Sequence, residues 1–354
     1  MLLFSFLKNW TLPVAILVGM LSYLTFAYVP ALDAAGDSLL PVFETLLPVT
    51  LFCTLFVTFS KVDFHLMRLR RWHLLILAAQ FLLIGVLVGL LLHSSFINDH
   101  SSMIIHQSSF DSKLLLEAVL ICVIAPCASA SPVVTAKLGG DLTQMTTFVL
   151  LSSVLMALLI PVIFPMVEPH SSFINPHSSF IIHHSSVLTH HSSVLSPHSS
   201  LIIHQSLAIF QRLAAVLLLP LLLGAVVRHW VQPLYRWFVR TPDLGFYCWC
   251  VSLAITAGIT VRNIVHSQAG LALLGAIAVL TLLTSFLQFA IGRAIGRAVG
   301  EHICTGQGMF QKNTGLAIWI AYTFLTPEAS IGAGCYVLWQ NIINSYELWR
   351  HRKQ

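Results

Sequence analysis

Apolar residues run through this chain in long, nearly unbroken blocks. Each block is close to the roughly twenty residues that a helix needs to cross a hydrocarbon layer. Ten windows of that kind can be drawn, at 10–31, 40–60, 72–94, 113–139, 143–167, 206–229, 244–264, 269–297, 302–325 and 329–349. Two of them carry an interruption. The fourth contains LEAVLICVIAPCASASPVVTAKLGGD, with Pro126 and Pro132 flanking Cys127, Ala128, Ser129, Ala130 and Ser131. A proline removes an amide donor and crowds the carbonyl four residues back, so the helix should break there. The ninth, HICTGQGMFQKNTGLAIWIAYTFL, is interrupted by Thr305, Gly306, Gln307, Gly308, Gln311, Lys312, Asn313, Thr314 and Gly315. Ten windows divide as five plus five, and the interruptions fall on the fourth of each half. An odd number per half makes the halves insert with opposite orientation. The expected fold is all-α and integral to the membrane: ten transmembrane helices as two inverted five-helix repeats, with broken, crossing helices four and nine. The halves would cover 1–169 and 206–354, with a loop over 170–205 between them.

In hydrocarbon, broken backbone is tolerated only where protein surrounds it or it lines a wet cavity. Matched discontinuous helices are the usual sign of a solute site in a secondary transporter. Candidate ligands from the first break are Ser129, Ser131 and Thr135, whose hydroxyls suit a cation or a polar solute. From the second break come Gln307, Gln311, Lys312, Asn313 and Thr314. Helix N-termini at the breaks would aim partial positive charge at an anionic group.

Composition sharpens the picture. Of 354 residues, 57% are apolar and 9% charged, against about 25% charged in a soluble domain. The net charge of +5 gives no reason to expect a nucleic-acid partner; the placement of the basic residues says more. Fourteen of the eighteen Lys and Arg fall on the N-terminal side of the windows, three (Lys113, Arg212, Arg262) on the other, and Lys312 within the ninth. Basic loops stay inside, so both termini are expected in the cytoplasm of a multi-pass inner-membrane protein. The run from Trp10 to Pro30 is too long for a signal-peptide core and reads as a span. Seven cysteines, an odd number without metal-type spacing, predict neither a disulfide framework nor a metal site.

Two His/Ser-rich inserts stand apart. One occupies 93–112, beginning HSSFINDHSS, and the other runs from His170 to Ser206 with His170, His177, His184, His191 and His198 seven apart. Clustered imidazoles can capture a metal, which would make the second an outer-face metal-binding loop. Near-identical units joining different helices favour repeat expansion in a tolerant loop.

Several stretches resemble the bile acid:sodium symporter family: FVTFSKVDFHLMRLRRW at 57–73, APCASASPVVTAKLGGDLTQMTTFVLLSS from the fourth window into the fifth, LLLPLLLGAVVR at 217–228 and QKNTGLAIWIA in the ninth. The resemblance implies a ten-helix carrier with a panel domain and a core domain, moving organic anions by symport, often with sodium. The family's fourth-helix Ser-Asn pair falls on Ser131 and Pro132, and its threonine on Thr135; Thr146 or Thr147 supplies the fifth-helix hydroxyl. Its ninth-helix Glu-x-Gly-x-Gln-Asn falls on Gly308 to Asn313, with Lys312 at the glutamine; a one-residue shift sets Gln307 at the glutamate. Neither alignment restores a carboxylate, so the sodium site is depleted.

Lys312 is then the sharpest single residue. A membrane-embedded lysine costs roughly +2.5 to +3.5 kcal/mol on insertion scales. Either its ammonium occupies the space of a lost sodium ion, making transport sodium-independent or proton-linked, or it snorkels to the surface. Glu44 and Glu117 read as hydrated interfacial carboxylates, and Asn341 and Asn344 as packing contacts between helices. An enzyme is not expected: outside the repeats only His65, His73, His229, His266, His302 and His351 remain, in no catalytic spacing. The partners expected are a small organic anion and the lipid bilayer, with no cofactor beyond a sodium ion; the sequence leaves the oligomeric state open. A same-fold efflux carrier for arsenite or an auxin-like acid stays open beside this, with Cys127 as the thiol.

Overall fold

The computed structural model describes residues 11–29, 31–101, 111–167, 197–241, 244–267 and 269–353. His170, His177, His184 and His191, Lys8 and residues 102–110 of the first His/Ser insert lie outside them, while 93–101 continue the helix that begins at Arg71. Among the described residues the chain is helical with no strand, apart from one isolated bridge. In order the helices are α1 (Thr11–Tyr28), α2 (Asp33–Ser60), α3 (Arg71–Ser101), α4 (Ser112–Ile124), α5 (Ser131–Lys137), α6 (Leu142–Val167) and α7 (Pro197–Leu213). After a π turn at Ala214–Leu218 come α8 (Leu219–Trp230), α9 (Gln232–Arg240), α10 (Leu244–His266), α11 (Leu271–Val299), α12 (His302–Phe310), α13 (Thr314–Phe324) and α14 (Ala329–Lys353).

Among the described residues, six segments are long and apolar enough to cross a membrane: Pro41–Ser60, Arg71–Ser94, Leu142–Val167, Ile203–Trp230, Leu244–His266 and Leu271–Val299. The fourth and ninth windows fall short because each is cut into two helices, α4 with α5 and α12 with α13. In α14 the amides of Gln340, Asn341 and Asn344 and the charges from Glu347 onward dilute the apolar character.

Two readings need correction, and one helix was not expected. The stretch 170–205 is not loop throughout: α7 begins at Pro197, because the last repeat unit is apolar enough to join the span behind it. The segment between the sixth and seventh windows holds α9, whose QPLYRWFVR buries Phe238 in a cluster with Val57 and Val227 while Trp237 and Val239 stay exposed. The second correction is that neither glutamate is a simple hydrated carboxylate. Glu117 is 1% exposed, with the Lys113 ammonium 3.7 Å away one helical turn earlier. Glu44 lies 3.8 Å from the Arg262 guanidinium and accepts from the Tyr322 hydroxyl, joining α2, α10 and α13. In each case a nearby cation compensates the lost hydration.

The core holds the broken segments at its centre. Phe59, Trp72, Phe148, Phe164, Phe324 and Tyr336 are all nearly or wholly buried. Two glycine contacts let backbones approach closely. A Cβ at Gly292 or Gly296 of α11 would collide with α12 at Thr305 and His302, and one at Gly332 of α14 would collide with Ala118 of α4. Small residues at such crossings are how membrane helices gain packing energy, since lipid supplies no hydrophobic drive between them.

Candidate functional site

The first break follows from its prolines. Helix α4 ends at Ile124, Ala125 turns extended (ψ 138°), and α5 restarts at Ser131 with Pro132 in its first turn, where a missing amide costs nothing. In the second, α12 ends at Phe310, Gln311 is extended (ψ 105°), and Asn313 caps α13 by accepting from the Leu316 amide at 3.2 Å.

The two unwound segments lie against each other. The Ala128 amide donates to the Gln311 carbonyl at 3.0 Å and the Asn313 amide to the Pro126 carbonyl at 2.8 Å. They form an antiparallel bridge centred on Cys127 and Lys312. At the centre, the Cys127 amide donates to Ser152 Oγ of α6 at 3.1 Å, and the Lys312 amide to Gln340 Oε1 of α14 at 3.0 Å. Gln340 Nε2 in turn approaches the Lys312 carbonyl at 3.4 Å. The cut ends are served from further helices. Gln80 of α3 donates to the Val123 carbonyl at 2.7 Å and the Ala125 carbonyl at 3.3 Å. Tyr336 donates to the Phe310 carbonyl at 2.7 Å and itself accepts from Gln288 of α11 at 3.1 Å. Backbone that would be orphaned in a dry interior is thereby paired.

Beside this crossing lies a cavity of about 820 Å³, lined by α2, the Asp63–Met67 turn, the first break, α5, α6, α10 and α14. Its wall mixes the amides of Gln311, Gln340, Asn341 and Asn344 with hydroxyls of Thr54, Thr58, Ser129, Thr143 and Thr146. Phe246, Tyr247 and Trp249 supply an aromatic side, and Lys61 and Lys137 the positive charge. Asp63 is the acid in the wall, and Arg228 pairs with it at 2.7 Å.

The nine residues singled out from the sequence do not form one surface. Ser129, Thr146 and Gln311 line the cavity. Ser131 and Thr135 are fully buried in α5, and the Ser131 hydroxyl accepts from the Cys127 thiol at 3.3 Å. Gln307 is 1% exposed in α12 and its amide has no hydrogen-bond partner among the described residues. Asn313 is committed to capping α13, and the Thr314 hydroxyl lies 3.5 Å from Gln340 Nε2. Lys312 is 1% exposed and its ammonium has no hydrogen-bond partner among the described residues, so it does not snorkel. Asn341 and Asn344, read as packing contacts, line the cavity instead. Gln340 was missed altogether; the signal was there in the amide-rich turn WQNIIN, out of place in an apolar helix. Among the described residues, no group of three or more His, Cys, Asp or Glu is placed to hold a metal.

A model of the SBF-like CPA transporter family (DUF4137) matches residues 16–343, nearly the whole chain. No curated protein matches it.

Proposed function

The chain belongs to the SBF-like CPA transporter family, and from that premise we propose that it is a secondary carrier of a small organic anion, working by alternating access without sodium. It is a multi-pass membrane protein of a transporter family. The observation that carries the finer reading is the paired crossing of two unwound segments, Pro126–Ala128 against Gln311–Asn313, beside a cavity. Unwound backbone deep in the core is the construction that such carriers use for their solute.

An inverted repeat is supported by the way each break is served. Ser152 follows its partner Cys127 by 25 residues, and Gln340 follows Lys312 by 28. Each comes from the helix after its break. On the other side Gln80 and Gln288 come from the long helices that precede the breaks, one acting directly and the other through Tyr336. The ten-helix count follows when α4 with α5, α7 with α8 and α12 with α13 each make one span and α9 lies at the membrane surface.

An anion suits the cavity because its one acid is neutralised by Arg228 while Lys61 and Lys137 face the same space. The aromatic wall would take an apolar body. Both lysines belong to the basic side, so with termini in the cytoplasm of an inner membrane this conformation opens inward. Lys312 supports sodium independence: when protonated, its side chain at the crossing supplies the charge that a coupling cation would otherwise bring. The arsenite alternative gains nothing from Cys127, which is 2% exposed with its thiol on Ser131.

The experiment has two stages. Detergent-purified protein is screened for thermal stabilisation by carboxylates and sulfonates, with and without sodium. A ligand at a hundred times its dissociation constant stabilises by about 2.7 kcal/mol. Uptake of the best ligand is then measured in proteoliposomes. Sodium should change neither reading in the wild type, and Lys312→Gln should lose uptake or acquire sodium stimulation. Unaltered uptake by Lys312→Gln, with the same sodium and pH dependence, would remove the role given to Lys312.

A further inference from the structure

A second cavity, of about 650 Å³, lies where α11 ends and α12 begins, closed by the end of α14 and by Leu138 after α5. Its polar wall is almost wholly basic: Arg293, Arg297, His302, Arg350 and His351 against the single acid Glu347. The nearby carboxylates already have partners. Glu347 pairs with Arg293, and Glu301, the residue before α12, pairs with Arg70 at 2.6 Å. Among the described residues no ion pair involves Arg297 or Arg350. Helix α12 also opens here without a side-chain cap, leaving the positive end of its dipole facing the space. Two arginines, two imidazoles and an uncapped helix start form a site for an anion from outside the chain.

The surface leading to the cavity says what kind of anion. On α11 the residues Val279, Leu283, Phe286 with Leu287, and Ala290 follow one another at intervals of three and four, so they form one stripe. All are exposed. The same spacing carries the stripe on to Arg293 and Arg297, and Ala290 with Phe289 also lines the cavity. In a chain that crosses a membrane, an exposed apolar stripe on a long span faces acyl chains. An apolar track running straight into an arginine pair matches a molecule with a phosphate head and a hydrocarbon tail. Guanidinium suits phosphate because its donors form a planar fork, and basic pockets between membrane helices hold anionic headgroups.

We propose that this cavity binds the phosphate of an anionic phospholipid, held by Arg297 and Arg350 at the start of α12, with an acyl chain along Leu283, Phe286 and Leu287. The inference needs only that the chain spans a membrane and does not depend on the transported solute. Bound there, the lipid joins α11 and α14 to the first half of the second broken helix. It braces the crossing from the membrane surface.

Thermal shifts of the full detergent-purified chain test this with three probes: dioctanoyl phosphatidylglycerol, dioctanoyl phosphatidylcholine and inorganic phosphate. The expected result is stabilisation by phosphatidylglycerol and by neither of the others. The Arg297→Gln/Arg350→Gln double variant should bind it more than tenfold more weakly, at about fivefold per arginine. Arg236→Gln/Arg240→Gln on α9, away from the cavity, should keep the full response. Both arginines of the first pair are exposed, so that variant should fold; native mass spectrometry, counting retained phosphatidylglycerol, reads the same loss without a melting transition. Equal stabilisation by phosphatidylcholine overturns the proposal, as does a response undiminished in the double variant. A full response to inorganic phosphate alone assigns the cavity to a soluble ion and overturns the lipid.

Discussion

At the scale of single residues, the weight falls on side chains that serve backbone. Gln340 takes the Lys312 amide and reaches toward its carbonyl, and Ser152 takes the Cys127 amide. Removing either leaves a peptide group unpaired in a dry interior, at about 1–3 kcal/mol each. Gln340→Leu and Ser152→Ala should both lower the melting temperature of the purified protein, Gln340→Leu more. Gln340→Glu keeps the acceptor at Oε1 and should retain more stability than Gln340→Leu; an equal loss for the two would show that shape, not pairing, is what Gln340 provides. Lys312 is the opposite kind of residue, since its side chain serves no backbone group among the described residues. Lys312→Met, close to it in length and without charge, should therefore be tolerated or stabilising as a fold while altering uptake. A fall in melting temperature as large as that of Gln340→Leu would mark Lys312 as structural.

Among the elements, α11 and α12 cross at close range, because Gly292 and Gly296 leave no room for a side chain. Gly296→Leu should cost at least the 1–3 kcal/mol typical of overpacking, read as a lower melting temperature or loss of monodisperse protein. Gly85 of α3, whose Cβ would meet nothing within 4 Å, should accept the same change. Much of this level was legible beforehand. Long apolar blocks gave six of the ten expected spans among the described residues, and Pro126 gave the first break because a proline acts locally. The second break was visible only as a cluster of polar and glycine residues; which three of them unwind was decided by pairing with Pro126–Ala128, a contact 185 positions away in the Cys127–Lys312 bridge (312 − 127). The same limit explains the site. Ser129, Thr146 and Gln311 share the cavity, but Ser131 and Thr135 lie one helical face away from it, and no spacing rule separates those groups when a break of unknown turn lies between. Helix α9 escaped notice because its nine residues are too short and too polar to register against windows built for spans.

For the whole molecule, the His/Ser stretch offers a clean test. Removing 171–195 should leave uptake and stability intact if the repeats are a tolerated expansion. Extending the cut to 205 takes the first turns of α7 and begins to shorten the Ile203–Trp230 span, and should cost expression measured by fluorescence-detected gel filtration. Loss of uptake from the shorter cut alone would give the repeats a function. The last consequence concerns descent rather than mechanics. Each unwound segment satisfies the other's peptide groups, so neither can be rewritten alone. A chimera that imports one break from a relative would inherit half a clasp, whereas exchanging both together, with their glutamine and serine supports, should yield a protein that still folds.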